Sequence, residues 1–301
     1  MNNIVIIGLG NMGLAHLSSF AKEQKRKKFY LVEKNINLHN KIITFLKKKN
    51  FSNINLLKEI PKNLNINFCI IATKSDQRLE IIKKLTNHNT VKKLFLEKFL
   101  FNNIDDYRKF NLIKKKKKFN THVNIWSEIF LNKINLKKNK KKIFIEVFLP
   151  KYKILTNLIH FYEIFKILVG ENFKIDFSNF SLKKINKSYS DGKGKVILYD
   201  KKGSEMCIQS KKMKNNINFN FYSGRIKKKF IISDGYITCL NQNKKKILFP
   251  LASRVTNKFF NSLIKKKKFQ LKFPKYNDVE KGSKKIIVSL SNQFKKEIKI
   301  L

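Results

Sequence analysis

Acidic side chains are scarce here: 20 Asp and Glu stand against 67 Lys and Arg, a formal charge of +47 over 301 residues. Such an imbalance points toward nucleic acid or another anionic surface. A second shortage argues against a dedicated reader of that kind. Arginine, the planar fork that suits phosphate and guanine, occurs only as Arg26, Arg78, Arg108, Arg225 and Arg254. The lysines do not collect on one segment; their runs fall at Lys114 to Lys118, Lys140 to Lys142, Lys244 to Lys246 and Lys265 to Lys268. With Asn, Ile and Phe abundant and only 10 Gly and 4 Pro, the composition is that of an AT-rich coding sequence. The charge is therefore read as a lysine-covered surface that adheres to polyanions, with no specific nucleic-acid partner. A selected polyanion site stays open as a competing reading. Cysteine is also rare: Cys69, Cys207 and Cys239 are odd in number and fit neither zinc nor CxxC spacing. They read as small buried hydrophobes in a reducing, cytoplasmic compartment. No apolar run approaches the roughly 20 residues of a membrane span. The chain passes straight into Ile4-Val5-Ile6-Ile7, so no signal peptide is expected.

What is present is enough apolar material, 42%, for two cores. The first 120 or so residues alternate apolar runs with helical spacing. Strands are expected at Ile4–Ile7, Phe29–Val32, Ile54–Lys58, Phe68–Ala72, Leu94–Leu96 and Phe119–Ile125. Helices are expected at Asn11–Lys22, Leu38–Lys48, Asp76–Leu85 and Asp105–Lys117. That alternation predicts a parallel sheet with right-handed crossovers. The pattern then changes. Lys142–Leu149 reads as a strand and Lys153–Val169 as an amphipathic helix stopped by Gly170. From Phe173 to Phe249 strands succeed one another, with turn signals at Asp191-Gly192, Lys202-Gly203 and Asp234-Gly235. Two helices, Ser253–Ile264 and Asp278–Phe294, close the chain. The expected division is a dinucleotide-binding Rossmann domain, 1–122, and an α+β substrate-binding and oligomerisation domain, 123–301. The second is a mostly antiparallel open-faced sheet with helices on one side.

The chemistry begins at Gly8-Leu9-Gly10-Asn11-Met12-Gly13, which follows a buried strand and opens a helix. Gly8 permits the tight turn, Gly10 lets a pyrophosphate approach the backbone, and Gly13 lets helix and strand pack closely. The helix start at Asn11 and Met12 supplies free N–H groups and a positive dipole end. Glu33 ends the next strand 20 residues after Gly13. There it would bind the adenosine ribose hydroxyls and repel a 2′-phosphate, which favours NAD over NADP. Lys34, beside it, keeps NADP as the second option.

Further motifs carry a resemblance. The turn continues to Leu14-Ala15-His16, a buried strand ends at Ala72-Thr73, and the next ends at Glu97-Lys98-Phe99. The helix Leu155-Thr156-Asn157-Leu158-Ile159-His160-Phe161-Tyr162-Glu163 follows in the second half. With these, much of the chain resembles the glucose–fructose oxidoreductase and inositol dehydrogenase family, Gfo/Idh/MocA. That family has Ala-Thr-Pro where Lys74 replaces the proline here, a frequent His where Arg78 stands, and Glu-Lys-Pro where Phe99 replaces the proline. The resemblance implies that Ala72, Thr73, Glu97 and Lys98 line the cofactor and that Lys98 reaches nicotinamide and substrate. It makes His160 the acid/base or its relay, with Thr156 in the place of the family's Asp. Thr156, Asn157, His160 and Glu163 share one helix face by spacing. Asn124 and Trp126 become candidate substrate contacts, Trp126 as a sugar-stacking plane or as a core side chain; Ile125 replaces a frequent Arg. The Asn-x-x-His variant and Thr121-His122-Val123-Asn124-Ile125-Trp126 resemble a branch found in surface-polysaccharide and nonulosonic-acid sugar synthesis.

The resemblance thus implies an NAD(P)-dependent oxidoreductase acting on the CH–OH group of a sugar, sugar nucleotide or polyol, held between the two domains. It also implies a homo-oligomer formed on the open sheet face. Thr156, Phe99 and Ile125 leave a second reading, a dinucleotide-binding protein impaired in turnover.

Overall fold

The computed structural model describes residues 1–138, 141–186, 189–213, 215–241, 244–265, 272–295, 298 and 300. Of the lysine runs, Lys140 and Lys266 to Lys268 lie outside the described residues. The chain forms two compact units, residues 1–124 with 251–280, and residues 125–250 with 281–301.

In the first unit the chain runs β1 (Asn2–Ile7), α1 (Asn11–Ser18), β2 (Lys27–Val32), α2 (His39–Lys48), β3 (Ile54–Leu57), β4 (Asn65–Ile66), β5 (Phe68–Ile71), α3 (Arg78–His88), β6 (Thr90–Val91), β7 (Lys93–Leu96), α4 (Ile104–Lys117) and β8 (Asn120–Val123). Six strands form one parallel sheet in the order β3-β2-β1-β5-β7-β8. The order reverses between β1 and β5, which is where doubly wound sheets open a binding crevice. Ile4 to Ile7 and Phe68 to Ile71 are buried throughout, as central parallel strands covered on both faces must be. α4 shows how local chemistry sets an element's bounds. Asn103 caps it by accepting the Asp106 N–H at 2.8 Å, Asp105 and Asp106 fill its first turn, and four lysines fill its last.

The second unit contains α5 (Ser127–Lys133), β9 (Phe144–Pro150), α6 (Ile154–Val169), β10 (Phe173–Asp176), β11 (Phe180–Asn186), β12 (Tyr189–Asp200), β13 (Glu205–Lys211), β14 (Ile217–Ser223), β15 (Ile226–Ser233), β16 (Tyr236–Cys239) and β17 (Lys246–Leu248). Two helices close the chain, α7 (Ala252–Lys265) and α8 (Tyr276–Phe294). The nine-stranded sheet runs β10-β12-β13-β9-β14-β15-β16-β17, with β11 also pairing β12. All its pairs are antiparallel except β9 with β13. β9 alternates, burying Ile145, Val147 and Leu149, and α6 lies on β12 and β13.

Four local expectations differ from the structure. The segment 251–280 returns to the first unit, because α7 packs on α1. The strand ending in the Asn124 region stops at Val123, and α5 follows it where no helix was expected. Phe173–Phe180 is two strands rather than one. Asp191-Gly192 is no turn; both lie inside β12, where a Cβ on Gly192 would sit 2.2 Å from the Ser181 carbonyl oxygen. Close strand approach, rather than chain reversal, requires that glycine. Asp234-Gly235 is a turn, with φ values of 49° and 77°. Cys69, Cys207 and Cys239 are free and buried.

His122 on β8 is 8% exposed, T-stacked on Phe259 and bridged to Lys275. Burial, together with Lys93 and Lys275 and against Asp278, pushes its pKa down from 6.5 to about 4. The folded chain thus resists protonation that the unfolded chain accepts. Stability is complete above pH 6.5 and falls as pH drops from there to 4. The loss amounts to roughly 3 kcal/mol at the lower end. His122→Gln should flatten that part of a stability–pH curve measured by urea unfolding; an unchanged slope would place the acid sensitivity elsewhere.

Candidate active site

Five of the expected cofactor and substrate positions come together on one edge of the parallel sheet. Gly8, Glu33, Ala72, Glu97 and Asn124 each stand one residue past a strand's carboxyl end. The N–H of each continues the ladder, donating to Val32, Leu57, Ile7, Ile71 and Leu96 carbonyls at 2.9 to 3.2 Å. Parallel strands leave their carboxyl ends at one edge, so the sequence positions converge without any long loop.

The glycine turn has three distinct roles. Gly8 takes φ +85°, and a Cβ there would meet Thr73 Cγ2 at 2.8 Å, so the turn and the Thr73 loop adjoin. A Cβ on Gly13 would lie 1.9 Å from the Gly8 carbonyl oxygen. Around Gly10, in contrast, nothing lies within 4 Å of the Cβ position. No side chain caps α1 and no acid stands in its first turn. Thr73 Oγ1 is buried and has no partner among the described residues. Open space over Gly10, uncapped N–H groups and an orphaned hydroxyl are what a bound pyrophosphate and ribose would complete, so the residues fit a dinucleotide. Gly10→Ala should therefore leave the melting temperature within about 1 °C and weaken NAD binding tenfold or more, on the order of 1.4 kcal/mol. Gly13→Ala should instead cost stability, on the order of 1–3 kcal/mol, by overpacking. Calorimetric titration with NAD beside thermal melts checks both; equal effects from the two would overturn the distinction.

Glu33 is tied to that turn. Its Oε2 accepts the Leu9 N–H at 2.7 Å and its Oε1 the Asn35 N–H at 3.0 Å. The carboxylate is thus fixed beside the place where a ribose would lie, with acceptor capacity left for hydroxyls. Asn11 and Met12, at the start of α1, are exposed.

Glu97 is buried at 6% exposure in a closed set of partners. His16 Nε2 lies 2.7 Å from its Oε1, Asn124 Nδ2 donates to the same oxygen at 2.5 Å, and His16 Nδ1 lies 2.8 Å from Thr256 Oγ1. Burial works to raise the Glu97 pKa. Hydrogen bond and charge from His16, the Asn124 hydrogen bond and the Lys98 charge outweigh it, leaving the carboxyl below its ordinary value. Glu97 therefore stays ionised beside half-buried Lys98. Asn124 was expected to touch substrate; here its amide is engaged with Glu97.

Arg78 is the residue whose role the sequence left unread. It is 1% exposed and donates to the carbonyls of Thr73 at 2.6 Å, Glu97 at 2.7 Å, Leu100 at 2.9 Å and also Phe99. One guanidinium thus fastens the loop after β5 to the loop carrying Lys98. Burial, against the charges of Glu97, Tyr107 and Asp76, lowers its pKa to about 10, so it remains a cation at neutral pH. The Lys98–Phe99 peptide is cis.

In the second unit, α6 buries Thr156, His160 and Glu163, while Asn157 is half-buried. Asn157 Nδ2 donates back to the Lys153 carbonyl at 2.8 Å. Glu163 pairs with Lys166 at 2.6 Å. α6 lacks an acid in its first turn, and Asp191 of β12 supplies one from outside. Its carboxylate is fully buried and accepts the N–H groups of Leu155 and Thr156 at 3.0 and 3.1 Å. Trp126 stacks on His160, with ring centroids 4.3 Å apart and planes 25° apart.

Among known proteins, residues 2–125 match the model GFO_IDH_MocA, described as the oxidoreductase family's NAD-binding Rossmann fold. No curated protein sequence matches the chain. Solved structures do match in fold along nearly all of it. A dehydrogenase, MviM, from Clostridium difficile shares 15% identity at a TM-score of 0.65, covering 96% of this chain and 99% of its own. Biliverdin reductase from Synechocystis, solved with biliverdin and NADP+, shares 12% at 0.64, covering 97% and 98%. A UDP-N-acetylglucosamine 3-dehydrogenase, GnnA, from Acidithiobacillus ferrooxidans shares 7% at 0.63, covering 96% of each. Residues 2–125 thus match that family's NAD-binding Rossmann fold, and nearly the whole chain shares the two-part fold of these solved structures.

Proposed function

We propose that the whole chain is a Gfo/Idh/MocA oxidoreductase that moves a hydride between nicotinamide and the CH–OH carbon of a sugar or sugar nucleotide. The observation that carries this reading is the Arg78 junction. It locks the Thr73 loop beside the glycine turn to the strand end that bears Glu97 and Lys98. A turn kept for packing alone would need no such buried cation joining two loops.

The bound dinucleotide would accept or supply the hydride at its nicotinamide ring. The protein's share is positional and electrostatic. The α1 N-terminus and Gly10 receive the pyrophosphate; Glu33 receives the ribose hydroxyls. Glu97, held ionised by His16 and Asn124, anchors the strand end from which Lys98 reaches out. The Lys98 ammonium polarises the reacting oxygen and stabilises charge that grows there. His160 takes or returns the hydroxyl proton. Asn124 and Asn157 are the substrate contacts in this reading. The second unit serves substrate binding and self-association through its sheet. A sugar or sugar nucleotide is favoured by the motif resemblance and by the GnnA neighbour's substrate; a role in surface-polysaccharide synthesis follows from the same branch.

Mass spectrometry of dinucleotide and sugar retained on the purified protein, followed by single-turnover reduction of bound NAD by a sugar and sugar-nucleotide panel, tests this. Hydride transfer with one class of CH–OH substrate is expected. Thr156, standing where an acid is usual, motivates the alternative of binding without turnover. Tight NAD binding with no transfer to any member of the panel would establish that alternative instead.

A further inference from the structure

We propose that Trp126 is a positioning residue that clamps the His160 imidazole and holds it toward its protonated form. The sequence allowed Trp126 to be a sugar platform or a core side chain; the packing in the second unit gives it a different task. The indole is itself fixed, with Phe130, Phe161 and Phe249 meeting it edge-on at 5.5, 5.8 and 5.2 Å between centroids. Its face then lies against the His160 ring at 4.3 Å and 25°. From the next residue, Ser127 Oγ donates to the His160 carbonyl at 2.6 Å. One short segment at the start of α5 thus grips both the ring and the backbone of His160, which is 2% exposed. Rotation of the imidazole about its side-chain bonds would break the stack, so the plane in which its nitrogens lie is set by the indole.

The stack also has a sign. An aromatic face carries negative quadrupole density, so a cation lying over it is stabilised relative to the neutral ring, most strongly over indole and away from water. The other charged groups on the packed elements are Glu163, paired with Lys166 on α6, Glu128 and Lys133 of α5, Asp191, at the α6 N-terminus, with Lys193, Lys195 and Asp200 of β12, and Glu205 and Lys211 of β13. None of them changes when Trp126 is replaced, so the difference between variants isolates the indole. This inference rests on the acid–base reading of His160 given above. A ring fixed in plane, with the indole favouring its cation, suits the direction in which His160 delivers its proton to an alkoxide oxygen.

The test is histidine-labelled NMR on the full chain, which has only 5 imidazoles, with His160→Gln identifying the signal. The wild-type His160 ring protons should show an upfield ring-current displacement that is lost in Trp126→Leu. The titration midpoint should fall by about one pH unit in Trp126→Leu and be mostly retained in Trp126→Phe. Trp126 is the 1 tryptophan of the chain, so its fluorescence supplies a readout that needs no change at position 126. Emission should drop as His160 protonates, and the step should vanish in His160→Gln. An unmoved midpoint and ring shift in folded Trp126→Leu would overturn the clamp, and so would a fluorescence step that survives in His160→Gln. Hydride transfer separates this inference from the function it rests on. If His160→Gln keeps full turnover while the clamp signals behave as expected, the acid–base role falls and the clamp stands. Collapse of turnover with an unmoved Trp126→Leu midpoint gives the reverse.

Discussion

Lys98→Ala should reduce turnover by a factor on the order of 10³, with NAD affinity held within about twofold. The separation follows from where each contact lies. In the proposed site, dinucleotide binding draws on the glycine turn, the α1 N-terminus, Glu33 and the Thr73 hydroxyl, none of which depends on the Lys98 side chain. Lys98 instead stands at the carboxyl end of β7, where its charge helps hold Glu97 ionised. A group that stabilises developing charge on a reacting oxygen acts in the transition state, so its loss appears in kcat with little change in binding. Titration calorimetry for NAD beside single-turnover rates with the sugar identified from the panel checks both halves. Unchanged turnover would remove Lys98 from the chemistry. An NAD affinity that falls in step with the rate would make it a cofactor-binding residue only.

The parallel half of the fold was legible because its signals are local. Buried strands such as Phe68–Ile71 read as continuous apolar runs, and the glycine turn names its own geometry. The second half was harder for a physical reason. Asp191-Gly192 has the composition of a turn, yet its roles are long-range: the glycine admits the Ser181 backbone, and the buried Asp caps a helix more than 30 residues earlier in sequence. Nothing within a short window distinguishes an exposed turn Asp from a fully buried cap. α5 was missed similarly, since Ser127–Lys133 is shorter than two helical turns and carries too little periodicity to be seen. Of the proposed site, Glu33, Glu97 and His160 were named as candidates by spacing and resemblance. The contacts that support them were not, because Thr256, which meets His16, and Asp191, which caps α6, come from remote elements, and Arg78 appeared only as a departure from a familiar pattern.

That departure carries the second large effect. Arg78→Met should destabilise the chain by about 3–5 kcal/mol, because the carbonyls of Thr73, Glu97, Phe99 and Leu100 lose a buried charged donor together. The melting temperature should fall on the order of 10 °C. Arg78→Lys is the more informative variant. An ammonium keeps the charge but presents a single point rather than a fork, so it cannot span both loops at once. Its melting temperature should lie between wild type and Arg78→Met, and its NAD affinity should drop about tenfold as the Thr73 loop and the Lys98 strand end lose their common anchor. Saturating NAD should then restore part of the lost stability, by about 2.7 kcal/mol at a hundredfold excess over Kd. An Arg78→Lys protein with wild-type affinity and a lowered melting temperature would show that Arg78 stabilises the first unit without shaping the dinucleotide site. Since the proposed activity rests on that junction, the same result would withdraw its main support while leaving the Lys98 and His160 measurements to decide the chemistry independently.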